Sequence, residues 1–176
     1  MKLLTILLEQ EKILVPRRSK EERAKNYQIA INKEIQQYIE NGSKGDLYLD
    51  GTPITSLPDI LKYVGGDLNL YQSKIKSLPD NLKVEEHLVL ANTPIEYLPD
   101  NLKVKGSILL TRSAIKSLPD NFKVGRSLYL ENTSIEDLPY NLEVGEDFWI
   151  RNSPIADKYS DEGIKTLANI KGIIVR

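Results

Sequence analysis

Residues 65–84 read GGDLNLYQSKIKSLPDNLKV, residues 85–104 read EEHLVLANTPIEYLPDNLKV, and residues 105–124 read KGSILLTRSAIKSLPDNFKV. Aligned, the three share an L-x-L or I-x-L pair, a Thr or Ser, an isoleucine, Leu-Pro-Asp-Asn and a closing valine. The same frame extends outward to Gly45–Val64 and Gly125–Val144, and Gly145–Tyr159 begins a sixth unit. The Leu-Pro leucines fall at Leu57, Leu78, Leu98, Leu118 and Leu138, a first step of 21 residues and then steps of 20, so Tyr63 marks a one-residue insertion. A fixed period of this length is the mark of a solenoid, in which each unit buries its apolar face only against its neighbours.

The apolar positions say how one unit is built. Leu47/Leu49, Leu68/Leu70, Leu88/Leu90, Ile108/Leu110, Leu128/Leu130 and Phe148/Ile150 alternate with period two, as in a short strand buried on one face. Parallel strands about 4.8 Å apart then give roughly 25–30 Å of sheet over six units. Ile54, Ile75, Ile95, Ile115, Ile135 and Ile155 come next, followed by Leu61, Leu82, Leu102, Phe122 and Leu142, so each coil contributes about six side chains to one core. The proline in each Leu-Pro disfavours helix at the preceding residue and removes one amide from any ladder, which predicts an extended, helix-poor return leg. At the turn after each strand stand Thr52, Ser73, Thr93, Ser113, Thr133 and Ser153. These are expected to form a stacked hydroxyl ladder serving buried backbone of adjacent coils, not six reactive serines.

Flanking segments differ in pattern. Residues 2–14 carry Leu3, Leu4, Leu7, Leu8 and Leu14 at near-helical spacing, and Glu9, Gln10, Glu11 and Lys12 interrupt the apolar run before any small-residue cleavage site. That reads as a short amphipathic helix ended by Pro16, not as an export signal. Ser19-Lys20-Glu21-Glu22 has the form of a capping box, and Tyr27, Ala30, Ile31, Ile35, Tyr38 and Ile39 form a helical stripe stopped at Asn41-Gly42. Residues 1–44 hold nine basic and six acidic side chains, a local charge of +3. At the far end, Ser160-Asp161-Glu162 opens a helix with Ile164, Leu167, Ala168 and Ile170 on one side, Gly172 ends it, and Ile173-Ile174-Val175 can add a last strand. The organisation expected is therefore an N-terminal helical cap (1–44), a solenoid (45–159) and a C-terminal helix–strand cap (160–176). Caps are needed because a bare sheet edge pairs with other chains.

The motif L-x-x-L-x-L-x-x-N of the leucine-rich repeat family is matched over residues 45–155, with Thr or Ser in the Asn place. The chain resembles that family, in particular its short, helix-poor bacterial and bacteriophage members with a 20-residue Leu-Pro repeat. The resemblance implies an α/β solenoid with a parallel concave sheet, a helix-poor convex side and recognition of macromolecules along the concave sheet. It carries no catalytic residues.

Composition narrows the function. The 176 residues hold 24 basic and 25 acidic side chains, a net charge of −1, which argues against binding nucleic acid through a broad basic face. No apolar run is long enough to span a membrane. Without cysteine there are no disulfides, thiolate metal sites or cysteine nucleophiles, and the single histidine, His87, leaves no two-histidine metal motif. No catalytic residue, metal or cofactor is expected, and the protein reads as a non-enzymatic one of the cytoplasm, or of a virion if it comes from a bacteriophage. Gly65-Gly66 opens a strand and is not a phosphate loop, while His87, near Asp67 and Glu86, reads as ordinary surface.

With the leucines turned inward, the outward column reads Tyr48, Asn69, Val89, Leu109, Tyr129, Trp149. One neighbouring column reads Asp46, Asp67, His87, Ser107, Ser127, Asp147, and the other Asp50, Tyr71, Ala91, Thr111, Glu131, Arg151. Aromatics beside an arginine on rigid strands have the make-up of a binding hot spot. The candidate partner-binding residues are accordingly Trp149, Tyr129, Leu109, Val89 and Arg151, with Tyr71 and Tyr48 farther along the face. The expected partner is a protein. Self-association over these residues, plain strand propensity, or a place in a larger assembly docked through 1–44 are the alternatives. On the opposite side, Asp59, Asp80, Asp100 and Asp120, followed by Lys62, Lys83, Lys103 and Lys123, read as a solubilising surface.

Overall fold

The computed structural model describes residues 19–176, and the helix expected over residues 2–14 lies outside them. Two compact units are present, divided after Gly42.

The first unit contributes helix α1, Lys20–Glu40. Its start follows from the capping box: the Glu22 amide donates to Ser19 Oγ at 3.1 Å, and the Ser19 amide donates to the Glu22 carboxylate at 3.0 Å. Gly42, at φ 81°, supplies the left-handed stop. Ile31 and Ile35 on its stripe are fully buried.

The second unit, Ser43–Arg176, is a parallel-strand β-solenoid with little helix. Its first sheet has seven strands: β1 (Leu47–Tyr48), β3 (Leu68–Asn69), β5 (Leu88–Val89), β7 (Ile108–Leu109), β9 (Leu128–Tyr129), β11 (Phe148–Trp149) and β13 (Ile174–Val175). Register follows the repeat, Leu47 opposite Leu68 and so on to Phe148 opposite Ile174. The L-x-L side chains are buried throughout, as are Ile54, Ile75, Ile95, Ile115, Ile135 and Ile155. Expected last-strand residues Ile174 and Val175 do pair with β11.

The return leg holds a second parallel sheet that sequence reading did not anticipate. It runs β2 (Tyr63–Val64), β4 (Lys83–Val84), β6 (Lys103–Val104), β8 (Lys123–Val124), β10 (Leu142–Val144) and β12 (Ala168–Ile170). Proline removes an amide only at its own position. Four residues on, the chain is extended again and its amides pair with the preceding coil, as Lys103 does with Leu82 at 3.0 Å. The valines point inward and the lysines outward. Because Tyr63 pairs with Lys83, the extra residue of the first coil is Lys62, not Tyr63.

Two further expectations are corrected. The turn hydroxyls are buried, but those with a partner bond within their own coil: Thr52, Thr93 and Thr133 donate to the carbonyls of Leu49, Leu90 and Leu130 at 2.6–2.7 Å, while Ser113 Oγ has no partner among the described residues. And the C-terminal helix is shorter than its apolar spacing suggested. After the short helix α2 (Pro154–Lys158), α3 covers Asp161–Leu167 only, and Ala168–Ile170 leave it to join the second sheet as β12, with Leu167 half-exposed.

Each coil turns after its first strand through one left-handed residue: Gly51, Gln72, Asn92, Arg112, Asn132 and Asn152, all at φ 54–64°. Coils also approach very closely where they leave the second sheet, so that a Cβ on Gly125 would stand 1.9 Å from the Lys105 carbonyl oxygen. No helix among the described residues is long and apolar enough to cross a membrane.

Candidate functional site

Alternation along the first six two-residue strands of the first sheet, β1 to β11, puts one residue in the core and the next outward. Register then stacks Val89, Leu109, Tyr129 and Trp149 on four neighbouring strands, all half-buried. Val175 extends this row on β13, opposite Trp149; sequence reading placed a strand there but not Val175 in the column. Tyr129 and Trp149 stack with ring centroids 5.6 Å apart and planes 18° apart. One face of the indole is thus covered by its neighbour. The indole Nε1 is buried with no hydrogen-bond partner among the described residues.

Arg151 lies two residues after Trp149. Its Nε donates to the Arg176 carbonyl at 3.3 Å, and Arg176 in turn pairs with Asp161 at 3.2 Å. This cation is held in place beside the aromatic pair. Tyr71 is exposed in the adjoining column, two strand positions past β3, with its amide donated to Asn69 Oδ1 at 3.0 Å. Tyr48, 45% exposed, stands on β1, five strands from Trp149, a span of about 24 Å. The seven candidates are therefore not one cluster: Val89, Leu109, Tyr129, Trp149 and Arg151 form it, and Tyr48 and Tyr71 lie toward the opposite end.

That opposite end is acidic. Asp46, Asp50 and Asp67 flank Tyr48, Asn69 and Tyr71, and all three columns lack lysine and arginine until Arg151. The Asp67 amide and the Tyr48 hydroxyl donate to Asp46, holding its carboxyl below the usual carboxylate range, and the same bond pushes the Tyr48 phenol up.

One column does more than line the face. The amide of Asp67 donates to Asp46 Oδ1, His87 to Asp67 Oδ1, Ser107 to His87 Nδ1, Ser127 to Ser107 Oγ, Asp147 to Ser127 Oγ, and Ile173 to Asp147 Oδ1, at 2.8–3.2 Å. In a parallel sheet, amides alternate in direction, and these point back at a coil that offers no carbonyl there. A short side-chain acceptor fills each gap. His87, read above as ordinary surface, is thus a rung between coils.

Among the described residues, no group of three or more His, Cys, Asp or Glu side chains could hold a metal ion. A cleft of ≈ 740 Å³ lies away from the aromatic row, along the second sheet, and Lys123, Glu143, Lys165 and Asn169 line it. No protein-family model matches the chain, and no curated protein matches it significantly.

Proposed function

We propose that the chain is a leucine-rich-repeat-type binding module without catalytic activity, and that it takes a protein partner on the outward face of its first sheet, the concave side of such a solenoid. The observation that carries this reading is the row Val89, Leu109, Tyr129 and Trp149, in register on adjacent strands and half-exposed. Backbone pairing fixes these side chains on a rigid support, so little conformational entropy remains to be lost on binding. Large aromatics with an adjoining arginine are the residue types that dominate interface energetics. In this reading residues 160–176 serve as an end cap of the solenoid.

The test is capture of the partner on immobilised wild type and on Tyr129→Ala/Trp149→Ala, with circular dichroism confirming the fold of both. Wild-type retention and loss in the double variant is the expected result. For an identified partner, Trp149→Ala alone should weaken binding by about 2 kcal/mol, near thirtyfold. Equal retention by both proteins refutes the site.

A second reading, a component of a larger assembly, is favoured by the C-terminal end, where Ile173 is 62% exposed beside the edge strand β13. Light scattering separates the two: a monomer supports the module, and a defined oligomer that Ile173→Lys dissolves supports the assembly.

A further inference from the structure

The face of the first sheet differs in chemistry from one end to the other, and this says what kind of segment it fits. Its first two coils present Asp46, Tyr48, Asp50, Asp67, Asn69 and Tyr71, three carboxylates with no cation in the same columns. The middle coils present Val89 and Leu109, and the last present Tyr129 and Trp149. At that last end Glu131 and Asp147 offset Arg151 and Arg176, and Arg151 is already tied to a backbone carbonyl. Within these three columns the acidic end has no such offset. Among the described residues, Asp46 accepts only from the Asp67 amide and the Tyr48 hydroxyl, and a carboxylate has about four acceptor positions, so it can take further donors.

Resting on the binding reading above, we propose that this face accepts a polypeptide segment with two separated features: lysine or arginine at one end, over Asp46, Asp50 and Asp67, and apolar side chains at the other, against Leu109, Tyr129 and Trp149. Strand spacing sets the separation. From β3 to β9 is three strand steps and from β1 to β11 five, about 14–24 Å, which an extended chain covers in about four to seven residues. The aromatic pair is not the seat of the basic group. Tyr129 and Trp149 turn ring faces toward one another, so the π-face that attracts cations is partly covered, while the carboxylates are open.

Selection of displayed random peptides of about twelve residues, long enough for that span, tests the proposal on the full chain. Enriched peptides should carry Lys or Arg toward one end and Leu, Phe or Trp about four to seven residues away. Their binding should fall about tenfold in Asp46→Asn/Asp50→Asn/Asp67→Asn and fall with rising salt. Asparagine keeps a carbonyl oxygen for both rung amides, and salt titration on wild type needs no variant, so a misfolded triple variant leaves the test intact. Peptides that need Tyr129 and Trp149 but show no basic excess or no salt response overturn the two-feature ligand and leave the binding face standing. Peptides indifferent to Tyr129→Ala/Trp149→Ala, or no enrichment at all, overturn both.

Discussion

Replacing Ser107 by alanine removes one rung between coils and nothing else of size. Ser107 is 7% exposed, and its Oγ accepts the amide of Ser127, itself 5% exposed, at 3.2 Å. No backbone carbonyl is in position to take that amide. Ser107→Ala therefore leaves a buried donor unpaired, at a cost of about 1–3 kcal/mol. For a chain of this size each kcal/mol moves the melting midpoint by about 2–4 °C, so a drop of about 2–12 °C is expected. Ser107→Asn, which restores an acceptor at the position where Asp67 and Asp46 already serve, should recover most of it. Ser117→Ala, on an exposed site, is the control, with a change within about 0.5 kcal/mol. The assay is urea unfolding together with hydrogen exchange at the Ser127 amide, which should lose protection only in Ser107→Ala. If Ser107→Ala matches Ser117→Ala in both, the rung carries no stability and the reasoning about back-pointing amides is refuted.

Arg112 holds φ 57° in a column otherwise filled mainly by glycine and asparagine, so Arg112→Asn should stabilise by about 0.5–1 kcal/mol in urea unfolding. Lys103 stands between Lys83 and Lys123 on the second sheet, and Lys123 already pairs with Glu143 at 2.7 Å. Lys103→Glu should turn cross-strand repulsion into attraction and raise stability by about 0.2–1 kcal/mol per neighbour, an increment that salt removes. Lys158 and then Tyr159 hold the Asp137 carboxyl below the usual carboxylate range. A depressed folded-state value means that Asp137 contributes stability above its unfolded value, about 3.9, and loses it as pH falls through the lower folded one. The stability difference between wild type and Asp137→Asn should fade over that acid window and stay constant near neutrality.

What the sequence disclosed was whatever repeats by residue type. Leu68, Ile75 and Leu82 announce the core because a buried apolar contact tolerates few alternatives, so the same letters recur. The second sheet escaped notice because a Lys-Val pair is too short to show alternation, and the nearby proline spoke against a ladder. The rungs escaped for another reason: Asp46, His87 and Ser127 share only a short acceptor, a property that residue identity conceals. Leu167, Ala168 and Ile170 fit helical spacing, yet Ala168 and Ile170 also fit a strand, and pairing with β10 decided for the strand. Of the candidate site, the outward row was legible from the inward one, since alternation fixes both. That Tyr48 lies far from Trp149 was legible too, once strand spacing is counted. The stacking of Tyr129 on Trp149 and the Arg151–Arg176 contact were not, being matters of rotamer and of where the chain's last strand returns.

The two-residue strands have a mechanical consequence. Nearly all bonds between coils run along the stacking direction, so a pull along that direction loads the successive coil–coil interfaces in series, each carrying the whole force. The structure should yield one coil at a time from an end. Each yield would release 20 residues, or about 65–70 Å of extended chain, and a force–extension trace would show a regular series of low peaks rather than one high barrier.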